Sequence, residues 1–149
     1  MITEIGAVVW DVDKKTPLLI HSSLLWSEAL ERRMTPEVEK MTERVCGITK
    51  EILKEYGYLP KPALEYVDRL CNRHGVEYIV AHNGNSYDKP LLTSEFERNG
   101  IPSSSLLSLP WLDTRYDIPF EEEPDSRKLK HLAGDCGFLN PFSHRAVFD

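Results

Sequence analysis

Four helices can be read in this 149-residue chain from the way they end, since each stops at a glycine. The first opens at Thr35-Pro36, carries Val38, Met41, Thr42 and Val45 at helical spacing, and ends at Gly47. A second opens at Pro62, lines up Leu64, Val67, Leu70 and Cys71, and ends at Gly75. The third begins near Asp88, tolerates Pro90 in its first turn and ends at Asn99-Gly100. The fourth, capped by Ser126, places Leu129, Leu132, Ala133 and Cys136 on one face before Gly137. These apolar stripes are expected to face a core. A shorter helical turn, "ITKEILKEYG", is capped by Thr49, and a last helix is expected to begin after "NPFSH".

Strand signals separate and precede these helices. "TEIGAVVWDV" and "PLLIHSSLLW", joined by the turn-like "DKKT", predict an antiparallel hairpin. "EYIVAH" reads as a buried strand, and "SLLSLPWLDT" as a strand weakened by Pro110 and so placed at a sheet edge. "FEEEPDS" reads as a solvated loop. The order of elements predicts a mixed α/β domain with a partly parallel sheet.

A length of 149 residues suits one domain. No apolar run approaches the roughly 20 residues of a membrane span, and no basic segment precedes the first apolar stretch. The three cysteines (Cys46, Cys71 and Cys136) form no CxxC pair, so neither a disulfide framework nor a zinc site is expected and a reducing cytoplasm is the default. The net charge of −6 argues against a protein that holds nucleic acid by a broadly basic surface. It leaves room for an enzyme that meets phosphate through bound metal, because such a site is itself rich in carboxylates.

Two clusters could carry chemistry. In "VAHNGNSYDKPLL", His82, Asn83 and Asp88 crowd the carboxyl end of an expected strand, where open α/β sheets bind ligands. Asp88 by itself is equally a helix-cap residue, His82 and Asn83 could satisfy loop backbone, and Tyr87 reads as a core aromatic before it reads as a base-stacking one. In "SHRAVFD", His144 precedes Asp149 by five residues. Such residues diverge by about 140° on an ideal helix, so they can converge only if His144 leaves from the turn before the helix wall that carries Asp149.

Taken together and in order, "AHN" with "YD", "WLDT", "KLKHLAGDCG" and "HRAVFD", preceded by the strand "ITEIGAVVWD", resemble the DnaQ-like (DEDDh) 3′–5′ exonucleases. That group includes the proofreading epsilon subunit of bacterial DNA polymerase III. The resemblance spans nearly the whole chain and implies an RNase H-like α/β fold, a mixed sheet flanked by helices. It implies that Asp88 and Asp149 are metal ligands and that His144 is the general base. It places His82, Asn83 and Tyr87, the last in the position of a more usual phenylalanine, against the substrate. Asp113 is expected to be supporting or structural, and Glu4 has no implied ligand role. Two Mg²⁺ or Mn²⁺ ions are the expected cofactors, and the expected substrate is a single-stranded 3′ end of nucleic acid, DNA ahead of RNA. A DNA polymerase or another replication or repair protein is the expected protein partner.

The family's Asp-x-Glu motif has no counterpart here, since the strand that carries it would precede Met1. The domain over residues 1–149 is therefore expected to lack its first, central strand and the end of its last helix. That sets against turnover by this chain alone. It opens an alternative, a non-catalytic nucleic-acid- or protein-binding module that retains the exonuclease fold.

Overall fold

The computed structural model describes residues 1–139 and 144–146. Among these residues the chain is a mixed α/β structure of seven helices and two separate two-stranded sheets. Strands β1 (Glu4–Asp11) and β2 (Thr16–Leu24) form the expected hairpin, turned where Asp11 accepts both the backbone N–H and the side chain of Lys14. The register slips by one residue between Val9 and Trp10, which sets Pro17 opposite Trp10. A proline is tolerated there because β2 is an edge strand and its missing N–H breaks no second ladder.

Helix α1 (Glu28–Arg33), which the periodicity does not reveal, is too short for a stripe, but Ser27 caps it by accepting from the Leu30 N–H. Helices α2 (Pro36–Cys46) and α3 (Lys50–Tyr56) start at Thr35 and Thr49 as expected, each threonine accepting an N–H of the first turn. Gly47, Gly75, Gly100 and Gly137 all take left-handed backbone angles, as the four helix stops require. Helix α4 (Pro60–His74) begins two residues before Pro62 and buries Leu64, Val67, Leu70 and Cys71 together.

Around α4 gathers the larger core of Ile2, Ile5, Leu25, Leu64, Val67, Phe96 and Leu106, with Ile79 and Trp111 packed against it. A smaller core of Leu30, Met34, Ile48 and Leu53 lies under α1 and α3. Strand β3 (Ile79–Ala81) pairs in parallel with β4 (Trp111–Asp113), and α5 (Asp88–Arg98) follows β3.

The strands form two ladders, and among the described residues no strand bridges β1 and β3. Three expectations need correction. "EYIVAH" gives only a three-residue strand, and Val80 is exposed, because nothing among the described residues covers the outward side of this short ladder. The start of "SLLSLPWLDT" is helical, α6 (Ser105–Ser108): Asp68 accepts from Ser104 Oγ and the Leu106 N–H, and Ser104 in turn caps Leu107. The stripes of α2 and of α7 (Leu129–Asp135) are not buried; Met41, Val45 and Cys136 are exposed. Helical spacing there marks an apolar face without supplying anything to bury it. No helix among the described residues is long and apolar enough to cross a membrane.

Candidate functional site

Parallel pairing of β3 with β4 brings two carboxyl ends side by side, with Ala81 opposite Asp113. The ladder closes with the Thr114 N–H donating to the Ala81 carbonyl at 2.9 Å. From these ends the chain leaves into the 82–87 loop and the 114–117 turn. One side chain organises both. Asp113 is only 1% exposed. Its Oδ1 accepts from the N–H groups of Asn83 (2.7 Å) and Arg115 (3.0 Å), and its Oδ2 from Asn85 (3.2 Å). Its own N–H donates to Asp117. A carboxylate taken from water needs such compensation, and loop amides supply it. Asp113 thus supports the loop, as the sequence suggests, with its lone pairs directed to backbone donors.

The loop is tight. Asn83 sits at φ +60°, its carbonyl accepts from Ser86 and Tyr87, and the Lys89 N–H reaches the Gly84 carbonyl. Gly84 permits this approach: a Cβ there would lie 2.6 Å from that of Ala81 and 3.4 Å from the Trp111 ring.

Within this frame His82, Asn83, Tyr87 and Asp88 fall together. His82 is half-buried, with Nδ1 3.0 Å from Thr114 Oγ1. Asn83 Oδ1 accepts from Arg115 Nη1 at 3.4 Å. Tyr87 is 64% exposed, so it is not the core aromatic its type suggests. The aromatic that packs against the larger core here is Trp111 of β4. Tyr87 also holds the N-cap position of α5, so Asp88 is the first helical residue and not its cap. Asp88 is half-buried, and burial pushes its carboxyl above the ordinary carboxylate range. Its own backbone N–H and His82 pull the other way, while the charge of Asp113 adds to the rise.

Beyond Asp113 lies a short run of cations on aromatic faces, unmarked by any motif. The Arg115 guanidinium stands 5.3 Å from the ring centre of exposed Tyr116, and among the described residues Arg115 has no carboxylate partner. Arg127 stands over Phe120, donates to the Arg115 carbonyl and pairs with Glu123.

The second cluster enters through a residue with no expected role. Glu4, at the start of β1, accepts from Arg145 Nη2 (2.9 Å), Arg145 Nε (3.1 Å), the Ala146 N–H (3.0 Å) and Ser22 Oγ (3.3 Å). Burial opposes ionisation of Glu4, but these donors outweigh it and hold the carboxyl below its usual range. His144, exposed and at φ +67°, immediately precedes the clamped residues. Asp149 lies outside the described residues.

The described residues do not by themselves fit a divalent-ion site. No group of three or more His, Cys, Asp or Glu side chains among them is placed to hold a metal. Asp113 has turned its oxygens to the loop, which leaves Asp88 as the carboxylate of the 82–88 loop without an ion pair among the described residues. A two-ion site needs several carboxylates. In comparisons with known proteins, the chain matches no protein-family model and no curated protein.

Proposed function

We propose that this chain is an exonuclease domain of the DnaQ-like 3′–5′ type, a type that acts with divalent metal on single-stranded 3′ ends of nucleic acid, DNA ahead of RNA, although no Asp-x-Glu occurs in this sequence and that lack sets against turnover by this chain alone. The observation that carries the proposal is Asp88: a half-buried carboxylate of raised pKa beside a histidine, at the carboxyl end of a parallel strand pair. A carboxyl group with perturbed ionisation at the carboxyl end of a parallel strand pair is a candidate for a functional site. Arg115 is suited to a backbone phosphate, and the exposed rings of Tyr87 and Tyr116 are suited to stacking with bases. A reducing, cytoplasmic setting belongs to the same reading, since the sequence has no CxxC pair. RNase H-like topology and a polymerase or repair partner belong to the same proposal.

A second reading is favoured by the lack, among the described residues, of a group of three or more side chains placed to hold a metal: a nucleic-acid- or protein-binding module that keeps the scaffold without turnover. One experiment separates them. A 5′-labelled single-stranded oligonucleotide is incubated with the full chain in Mn²⁺ or in EDTA. A ladder shortened from the 3′ end in Mn²⁺ alone supports the exonuclease. Oligonucleotide left intact in both supports the binding module, and a gel shift of that oligonucleotide by the chain distinguishes a nucleic-acid-binding module from a protein-binding one.

A further inference from the structure

We propose that Glu4 is a positioning residue for His144. The proposal rests on the exonuclease reading for what His144 does, and on the observed bonds for how it is held. A carboxylate has about four acceptor sites, and here four donor groups meet Glu4. Its side chain is 5% exposed, whereas that of Arg145 is 37% exposed. The next residue of β1, Ile5, is locked in the larger core, so the carboxylate stands on a rigid platform.

Two of the bonds decide the geometry of the turn. The Arg145 side chain and the Ala146 backbone N–H are both fixed to one carboxylate, so the two residues after His144 cannot rotate independently of β1. His144 itself lies in the left-handed region, which a residue with a Cβ adopts uncommonly and keeps only where its surroundings impose it. A half-exposed ion pair is a weak source of stability, but a well-formed one fixes an arrangement. Glu4 therefore sets where the imidazole leaves the backbone, relative to a strand far from it in sequence.

The test compares the full chain with Glu4→Gln and Arg145→Gln, the second removing the clamp from its exposed side should the first fail to fold. Kinetics on a single-stranded oligonucleotide in Mn²⁺ are read beside NMR of the Ala146 amide and the His144 ring. Both variants are expected to lower kcat about tenfold or more with KM within about twofold. They are also expected to speed Ala146 amide exchange and shift the His144 ring resonances, while exchange of α4 amides stays unchanged. Arg145→Lys, which keeps the charge and loses the two-nitrogen geometry, is expected to fall between. Unchanged Ala146 exchange and His144 resonances overturn the proposal, as does a parent-like kcat in a variant that has lost the clamp. An inactive parent chain defeats the exonuclease reading instead, and the two NMR observables then decide the clamp by themselves.

Discussion

Asp113 accepts the backbone N–H of Asn83 at 2.7 Å, from a side chain almost wholly withdrawn from solvent and 30 residues further along the chain. Because the same carboxylate also takes Asn85 and Arg115, the loop before Asp88 is held by β4 and not by its own sequence. Asp113→Ala strands three N–H groups and is expected to cost about 2–4 kcal/mol, measured by urea denaturation. Asp113→Asn keeps one acceptor oxygen but turns an NH₂ group towards the loop donors, and is expected to fall between parent and alanine variant.

Asp88 should trade stability for function. Its folded-state pKa is raised, chiefly by burial, so its contribution to stability is fully present below the unfolded pKa and is lost as pH rises through the folded value. Near neutral pH the ionised carboxylate therefore weakens the metal-free fold. Asp88→Asn is expected to raise the midpoint of metal-free thermal unfolding by about 1–3 °C at pH 7 and to change it little at pH 3. Calorimetry at the two pH values checks both the sign and the window.

Glu4 has the opposite sign. Its folded-state pKa is lowered, so the stability it contributes is present above the unfolded pKa and is lost as pH falls through the folded one. The difference in unfolding midpoint between the parent and Glu4→Gln is expected to persist at pH 7 and to fade below about pH 4. A pH series of thermal melts measures it.

Arg115 is expected to act on binding and not on turnover. Arg115→Ala should raise KM for a single-stranded oligonucleotide about three- to tenfold with kcat nearly unchanged. In fluorescence-anisotropy titrations it should also reduce the salt dependence of binding by about one phosphate contact.

How much of this was legible in the sequence follows the range of each interaction. Thr35 and Thr49 cap helices as expected, whereas Ser126 does not: α7 starts at Leu129 after Lys128, and Ser126 accepts from the Lys128 N–H ahead of it. Helix α4 shows its core stripe because α5, α6 and β1 surround it. The equally periodic α2 buries none of its residues, since spacing describes a face and not its neighbour. "SLLSL" reads as strand by composition and is a helical turn because Asp68, 36 residues before its cap Ser104, accepts from that cap. Asp88 and its histidine neighbour were legible as a cluster, being close in sequence. The Glu4–Arg145 pair was not, because a contact across 141 residues leaves no local signal.

The most direct measurement is the rate of nucleotide release from a single-stranded 3′ end in Mn²⁺, for the full chain and for Asp88→Ala side by side. The account predicts stepwise release by the parent and at least a hundredfold slower release by the variant. Equal rates for the two proteins, or no release by the parent in Mn²⁺, would contradict it.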